Sequence, residues 1–378
     1  MSTALLADLG AEVIKVEPRQ GDDYRSIGPM RNGESALFNA MNRNKKSIVL
    51  DLKSSEGVAI VGELASRVDV VVENFRPGVA ERLGIGPAAL RRLNPALVYV
   101  SISGFGHTGP LSHRPAYDIV VQAMSGLMEA TGSPDGPPTL VGEAVSDVVA
   151  GLFASWAILA ALIQVRRTGE GQHVDVAMFD STLAFLATSA ARYAFTGEAG
   201  RRVGNRHPLS APFGVFRARD GHFALAVLNE RLFATLAATM GQAALTADPR
   251  FASDELRAAN EPALREAIEG WAVERSVGDV IEILDHAGVP TAPIWNIAQA
   301  FESTQAKARN LLRPVTHDLL PNLQLQTQPV RFGGAAENLT VRAPKLDEHS
   351  NEILEWLGID PARVNELRAS GVLGESNT

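Results

Sequence analysis

The 378-residue sequence contains no cysteine. Disulfides, cysteine nucleophiles and cysteine-ligated metals are therefore excluded, and the composition fits a reducing cytoplasm. The chain also lacks an excess of basic residues, since 35 Lys and Arg against 43 Asp and Glu leave a formal net charge of −8. This balance disfavours nucleic-acid binding through a basic face. An anionic ligand must instead be held by a few local Arg and Lys side chains.

Signals for secretion or membrane insertion are also missing. The N-terminus has neither a basic start nor a long apolar segment. The longest apolar stretch, residues 148–165, is interrupted by Gly151, Ser155 and Gln164, which predicts a buried helix and no membrane span. Hydrophobic residues make up 46 % of the chain, enough for a packed core, and the length suggests about two domains.

The first half of the sequence alternates short β-branched runs with helix-like runs. The predicted strands are residues 12–16, 47–51, 69–72, 97–102 and 172–176. The predicted helices are residues 57–67, 87–92, 117–130, 147–165 and 180–194. Strands separated by helices indicate βαβ units and a parallel sheet.

The second half has a different pattern. Asp220-Gly221 between two alternating runs, 214–219 and 222–227, predicts a β-hairpin with positive φ at both turn residues. Helices follow over 232–286, then a strand at 326–332 and a helix at 350–357. The predicted division is a large domain of residues 1–195 and 312–378, a small α+β domain of residues 213–295, and linkers at 196–212 and 296–311.

Asp147 is a candidate nucleophile because it stands at the start of a long apolar helix. An Asp at this place is commonly an N-cap, favoured by the unpaired N–H groups and the helix dipole. The apolarity of the helix predicts that the carboxylate lies at a buried or cleft-facing end, and Gly142 and Gly151 allow another group to approach. A partly desolvated carboxylate can act in covalent catalysis. The residues alone leave both roles open.

Polar and basic residues follow the predicted strands: Lys53 after the second, and Asn74, Phe75, Arg76 and Arg82 after the third. Ligands of parallel sheets bind beyond the carboxyl ends of the strands. Phe75 can stack on a flat ring while an Arg pairs with a phosphate. The set fits an adenine-nucleotide-like ligand, and solvated surface charge explains it about equally well.

Residues 104–109 match G-x-G-x-x-G after a strand, which allows a nicotinamide-dependent oxidoreductase as an alternative. Pro110 and Pro115 disfavour the helix that such a motif must open, so a flexible loop is the competing interpretation. Tyr117 and Asp118 follow this loop and form a weak candidate pair for hydrogen bonding. The sequence has no nucleophile elbow, phosphate-binding P-loop or H-E-x-x-H motif, and its eight His lack metal-ligand spacing.

Several segments, in this order, resemble the family III CoA-transferases, the group that includes formyl-CoA transferase and α-methylacyl-CoA racemase. The segments are residues 9–18, 44–53, 73–78, 103–106, 114–118, 142–151 and 288–293. The resemblance implies an open Rossmann-like large domain with a smaller α+β domain, in a homodimer of interlocked chains. It also implies CoA transfer from an acyl-CoA donor to a small carboxylic acid, with CoA as substrate and carrier, no tightly bound cofactor and no metal.

The resemblance also implies site residues. The catalytic carboxylate falls on Asp147, which would carry anhydride and aspartyl-CoA thioester intermediates. The implied CoA contacts are Leu50, Lys53, Asn74, Phe75, Arg76, Arg82, Tyr117 and Met178. Arg206 and His207 resemble residues of relatives that act on dicarboxylates such as succinate, where they would meet a second carboxylate.

Two departures from the family pattern leave alternatives. The racemase branch has His where this sequence has Tyr117, so transfer is favoured over acyl-CoA racemisation or epimerisation, which would lose a base. Family members also begin with a further strand and a Gly-rich loop that have no counterpart before residues 4–9. We therefore expect reduced stability or activity, and an inactive CoA-binding protein is a further alternative.

Overall fold

The computed structural model describes residues 1–333 and 341–374 of this mixed α/β protein. In chain order its strands are β1 (Val13–Glu17), β2 (Met30–Arg31), β3 (Glu34–Ser35), β4 (Lys45–Val49), β5 (Val70–Glu73), β6 (Val98–Ser103), β7 (His173–Ala177), β8 (Phe213–Arg217), β9 (His222–Ala226), β10 (Thr291–Pro293), β11 (Leu312–Pro314) and β12 (Gln324–Gln326).

The α-helices are numbered in the same way. They are α1 (Ser2–Asp8), α2 (Ala36–Asn42), α3 (Ser55–Arg67), α4 (Val79–Arg82), α5 (Pro87–Leu93), α6 (Asp118–Met124), α7 (Leu127–Ala130), α8 (Val145–Thr168), α9 (Met178–Phe185), α10 (Ala187–Thr196), α11 (Glu230–Thr239), α12 (Asp254–Ala259), α13 (Glu261–Ala272), α14 (Val277–His286), α15 (Ile297–Glu302), α16 (Thr304–Ala308), α17 (Ser350–Trp356) and α18 (Pro361–Ala369).

The chain divides into two compact units. Unit 1 comprises Met1–Ser125, Gly142–Ala191 and the chain from Ser303 onward, and unit 2 comprises Gly126–Val141 and Arg192–Glu302. The domain limits proposed from the sequence stay a prediction.

Unit 1 contains two parallel sheets. Strands β1 and β4 form one pair, and β5, β6 and β7 form the other sheet in that order. The five strands predicted from β-branched runs are confirmed, as is their parallel pairing. Continuous Val and Ile runs suit parallel strands because both faces of such a sheet are covered.

Helix α3 shows how local sequence builds this unit. The Ser54 hydroxyl accepts a hydrogen bond from the Glu56 N–H and caps the helix start. Its apolar stripe, with Ile60 and Leu64, packs against Leu50, Leu97 and other buried residues. Gly57 is required here, because a Cβ at this position would lie 2.1 Å from the Asp51 carbonyl oxygen.

Helix α8 is the longest helix of the described chain and packs by one face only. Ala150, Ala154 and Ile158 are buried against Val98 and Val100 of β6. Four large residues of the opposite face are exposed: Leu152, Trp156, Leu159 and Ile163. The predicted helix is confirmed, but the prediction that it is buried is wrong for this face of the single chain.

By length and composition alone, α8 is also the one helix among the described residues that could cross a membrane. A third of its most apolar 18-residue stretch is buried inside the protein. Core helices of soluble proteins meet the same criteria, so length and apolarity are weak evidence for a span.

Unit 2 contains an antiparallel sheet of order β10-β9-β8. Phe216 and Phe223 of the β8–β9 hairpin are buried with Phe233, Leu264 and Leu284 of the surrounding helices. The predicted hairpin is confirmed, but its turn spans residues 218–221, and neither Asp220 nor Gly221 has positive φ. The Asp220 carboxylate instead accepts a hydrogen bond from the Val277 N–H, which ties the turn to α14.

Three other sequence predictions need correction. The helix expected over 117–130 is interrupted at Gly126, where φ is 88°, a value that favours glycine. The helix expected over 180–194 is two helices, α9 and α10. The strand expected at 326–332 is wrong beyond Gln326, because β12 ends there and Thr327 binds the Asn310 carbonyl through its hydroxyl.

Candidate active site

Asp147 is the third residue of α8, and Ala144 is the N-cap residue. The simple N-cap interpretation of Asp147 is therefore wrong. The side chain is exposed in the single chain, so of the two predicted positions, a buried or a cleft-facing helix start, the buried one does not hold for this side chain. A carboxylate in the first turn still benefits from the positive end of the helix dipole.

The surroundings of Asp147 disfavour its charged form. Desolvation by the adjacent protein raises the pKa of Asp147, and the negative charge of Asp118 raises it further. The carboxylate is thus open to solvent on one side and destabilised as an anion by the protein on the other. Such a group gains from reacting with an electrophile, because the reaction removes its charge.

Asp118 links two helices at this place. Its Oδ1 accepts a hydrogen bond from the Ser146 N–H at 2.7 Å, and its Oδ2 accepts one from Gln122 Nε2 at 2.7 Å. Gln122 is fully buried and also donates to the Glu143 carbonyl at 3.1 Å. Asp118 therefore joins the starts of α6 and α8, directly beside Asp147.

The structure brings Tyr117 to the same region. Tyr117 is the N-cap residue of α6, makes no side-chain cap, and is 80 % exposed. Gln122 is a site residue that sequence reasoning missed. The available signal was its position four residues after Asp118, one helical turn along the same face.

Exposed basic and aromatic side chains follow the parallel strands. Asn74, Phe75 and Arg76 come directly after β5, and Lys53 lies in the connection from β4 to α3. Within the described residues the side chains of Lys53, Arg76 and Arg82 have no ion pair and no hydrogen bond. These cations are therefore available to a phosphate-bearing ligand.

Two of the implied CoA contacts, Leu50 and Met178, have buried side chains. Leu50 is 1 % exposed and forms an isolated antiparallel bridge with Leu373. Met178 is the first residue of α9 and is 8 % exposed within the core beneath α8. Their side chains serve packing in this chain.

The glycine-rich segment 104–116 crosses the ends of β6 and β7. Its Gly106 N–H donates to Ser103 Oγ at 3.0 Å, and its His107 N–H donates to Asp175 Oδ2 at 2.8 Å. The next helix, α6, begins only at Asp118. The helix start that a dinucleotide fingerprint needs directly after Gly109 is therefore missing from this described part of the chain.

Arg206 and His207 lie in unit 2, along a cavity of about 610 Å³. The His207 ring stacks on Phe213 at 4.8 Å, and its Nδ1 accepts the N–H groups of Leu209 and Ser210. Nε2 therefore carries the ring proton when His207 is neutral. Arg206 Nη1 lies 3.6 Å from Glu261 Oε2, so its charge is partly balanced.

Residues 1–333 and 341–374 contain no group of three or more His, Asp or Glu side chains arranged to hold a metal ion.

The fold is thus mixed α/β, with an exposed carboxylate of raised pKa in the first turn of a helix and, among the described residues, unpaired cations beyond parallel strands. The model of CoA-transferase family III matches residues 1–350. The chain therefore belongs to CoA-transferase family III, and it is a CoA-transferase.

Two similar proteins with assigned activities are also CoA-transferases. The chain is 45 % identical over 349 residues to the acetyl-CoA:oxalate CoA-transferase of Acetobacter aceti, covering 92 % of this chain and 88 % of that protein. It is 38 % identical over 364 residues to the succinate–glutarate CoA-transferase of Agrobacterium fabrum, covering 93 % and 90 %.

Solved structures also match. A CaiB/BaiF family protein from Brucella suis is 39 % identical and superposes with a TM-score of 0.83, over 94 % of each chain. Rv3272 from Mycobacterium tuberculosis is 29 % identical with a TM-score of 0.84, over 93 % of this chain and 94 % of that one.

Proposed function

We propose that this CoA-transferase works through a covalent aspartyl-CoA thioester on Asp147. The observation that carries the proposal is the carboxylate itself. It stands exposed in the first turn of α8, and burial on its protein side together with Asp118 raises its pKa. It is accessible to a substrate, and acylation relieves the repulsion from Asp118.

The reaction proceeds by exchange of activated carboxyl groups. The Asp147 carboxylate attacks the thioester carbonyl of the donor, forming a mixed anhydride and releasing CoA thiolate. The thiolate attacks the aspartyl carbonyl, expels the donor carboxylate and leaves a β-aspartyl-CoA thioester. The acceptor carboxylate then attacks this thioester, and the released thiolate attacks the acceptor half of the new anhydride. Acyl-CoA product leaves and Asp147 is regenerated as a carboxylate.

Each step needs a place for negative charge on the attacked carbonyl oxygen. In the first turn of α8 the Val145 N–H is bound by the Glu143 carbonyl and the Ser146 N–H by Asp118. Within the described residues this leaves the Asp147 N–H, together with the helix dipole, to supply positive partial charge at this end. Donors of this kind stabilise oxyanions when water is kept away. We assign this role to the start of α8.

The exposed cations and Phe75 are proposed to bind CoA. Lys53, Arg76 and Arg82 are free to pair with its phosphates, and Phe75, 36 % exposed, can stack on the adenine ring. Asn74 and Tyr117 complete the exposed set. Because the side chains of Leu50 and Met178 are buried, we expect these two residues to contact CoA through backbone atoms.

The acceptor is proposed to be a small dicarboxylate. The curated relatives carry the names of oxalate and glutarate CoA-transferases, and both acids have two carboxylates. Arg206 and His207 are the proposed contacts to the second carboxylate, since a guanidinium pairs with a carboxylate through two parallel hydrogen bonds.

We further propose that the chain acts as a cytoplasmic homodimer with the large and small domains expected from the sequence. Support for the dimer comes from the exposed stripe Leu152, Trp156, Leu159 and Ile163, spaced along one face of α8. A contiguous apolar stripe of this kind marks a protein interface more often than a free surface. The absence of cysteine agrees with the cytoplasm.

The mechanism is tested by trapping the intermediate. The protein is incubated with succinyl-CoA and then with hydroxylamine, and peptides are analysed by mass spectrometry. We expect a hydroxamate on Asp147 and none in Asp147→Asn, with Asp135→Asn as the exposed control. Full turnover by Asp147→Asn with oxalate or glutarate as acceptor would disprove the mechanism. Deuterium exchange at the α-carbon without CoA transfer would favour the racemase alternative.

A further inference from the structure

A polar cluster across β5, β6 and β7 is not used by the proposed reaction. It contains Glu73, Ser101, His107 and His173, all in unit 1. Ser101 Oγ lies 2.9 Å from His173 Nε2, and the His173 ring meets the His107 ring edge-on at 5.6 Å. Titratable groups gathered next to a candidate ligand-binding segment often serve function as well as folding.

Glu73 fixes the segment that follows β5. It is the last residue of the strand and is 8 % exposed, and its Oε2 accepts a hydrogen bond from the Phe75 N–H at 2.7 Å. This bond determines the direction in which the backbone leaves the sheet. The exposed side chains of Asn74, Phe75 and Arg76 depend on that direction.

The other carboxylate oxygen faces a second segment. Glu73 Oε1 lies 3.9 Å from His107 Nε2, and neither buried atom has a hydrogen-bond partner within the part of the chain that the structure describes. Leaving two buried polar atoms unpaired costs free energy that a closer approach would recover. Hydrogen bonds in ligand-free sites are often long and tighten when the ligand binds.

His107 belongs to the glycine-rich segment 104–116, which leads to Tyr117 and Asp118. Its backbone N–H is held by Asp175, so the ring is presented to Glu73 from a fixed anchor. A closed Glu73–His107 pair would connect the 74–76 segment with the segment that precedes Asp118.

We propose that Glu73 is a positioning residue for CoA, holding the 74–76 segment through the Phe75 N–H and coupling it to the glycine-rich segment through His107. This inference rests on the proposed binding of CoA by Asn74, Phe75 and Arg76. Burial raises the pKa of Glu73, although hydrogen bonding by the Ser101 side chain and by the Phe75 N–H opposes the shift.

The test compares Glu73→Leu, Glu73→Gln, His107→Phe and the double variant Glu73→Leu/His107→Phe. Glu63→Gln, exposed on α3, and His222→Gln, exposed on β9, are the matched controls. The readouts are KM for succinyl-CoA, kcat, and the Kd of free CoA by calorimetry. Thermal melts identify any variant that fails to fold.

For Glu73→Leu we expect KM and Kd to rise about tenfold with kcat changed less than about twofold, the size of one lost charge-assisted hydrogen bond. Glu73→Gln keeps an acceptor for the Phe75 N–H and should restore both constants to within about threefold of wild type. The double variant should be no worse than Glu73→Leu, because the two residues act as one unit.

Wild-type KM and Kd in both Glu73 variants would overturn this inference, and so would a loss of kcat with KM unchanged. Should Glu73→Leu not fold, His107→Phe decides the question: its KM for succinyl-CoA should rise, and a wild-type KM would overturn the inference. A wild-type protein that does not bind CoA at all would overturn the proposed function as well, so the two failures can be told apart.

Discussion

Substitution of Asp118 by Asn tests whether this residue sets both the geometry and the charge of the active site. The carboxylate accepts hydrogen bonds from the Ser146 N–H and from Gln122 Nε2, each at 2.7 Å. An Asn side chain has one acceptor oxygen, so it can keep only one of them. Rotation of the Gln122 amide does not repair the loss, because its oxygen would then face the Glu143 carbonyl.

The size of the effect follows from these contacts. A hydrogen bond to a charged group contributes about 1.5–3 kcal/mol, and Gln122 is fully buried, so water does not replace the lost bond to Asp118. We therefore expect the free energy of unfolding to fall by about 1.5–3 kcal/mol. Urea titration followed by circular dichroism measures this change, with Asp135→Asn as an exposed control of the same chemistry.

The same substitution should alter the pH dependence. Asp118 raises the pKa of Asp147, so removing its charge lowers that pKa. Because Asp147 must be ionised to attack, the acidic limb of the kcat/KM profile should move to lower pH. The limb does not return fully to the ordinary range of an aspartate, since desolvation is the larger cause. An unchanged stability together with an unmoved or upward-shifted acidic limb would refute the reasoning.

Other outcomes follow from the same contacts. Asp147→Asn should be slightly more stable than wild type near neutral pH, by less than about 1 kcal/mol because the group is exposed. A carboxyl group whose pKa is raised in the folded state contributes stability below its unfolded pKa and loses that contribution as the pH rises. The free energies of unfolding of the two proteins should therefore converge in acid. A difference that stays constant with pH would contradict this. Arg257→Ala should lower the free energy of unfolding of unit 2 by about 3 kcal/mol, because this fully buried guanidinium binds Glu230 and the Ala211 carbonyl. A loss below about 1 kcal/mol in a urea titration would contradict this prediction. Gly104→Ala should lower the melting temperature, because its Cβ would lie 2.4 Å from Ala116 Cβ, and an unchanged temperature would show that the segment yields freely.

The elements that could be predicted are those whose signal is local. Five β-branched runs became β1, β4, β5, β6 and β7 because Val and Ile favour extended, covered strands wherever they occur. The apolar run 148–165 became α8 because it is long and rich in Ala and Leu, which favour a helix. The expected strand at 326–332 ends at Gln326 because, in the part of the chain that the structure describes, no partner strand continues beyond it. Pairing is not a local property of the sequence.

The residues of the candidate site also fall into those that the sequence could place and those that it could not. Lys53, Asn74, Phe75 and Arg76 could be placed beyond strand ends, because parallel strands direct their carboxyl ends to one edge. The sequence left open whether Asp147 is buried or faces a cleft, because the apolarity of α8 fits both positions. Only one face of α8 is covered by other parts of the described chain. No periodic pattern in the sequence distinguishes the covered face from the exposed face.

From the sequence alone came the chemical inventory: no cysteine, a net negative charge, a carboxylate at a helix start, cations and an aromatic ring after parallel strands, and the ordered family segments. Composition, spacing and short-range propensity carry that information without any folding. The tertiary structure decided which groups meet. Asp118 binds the Ser146 N–H across 28 positions of chain, and Glu73 faces His107 from a different strand connection. Such contacts depend on how helices and strands pack, and the burial they create sets the pKa of Asp147.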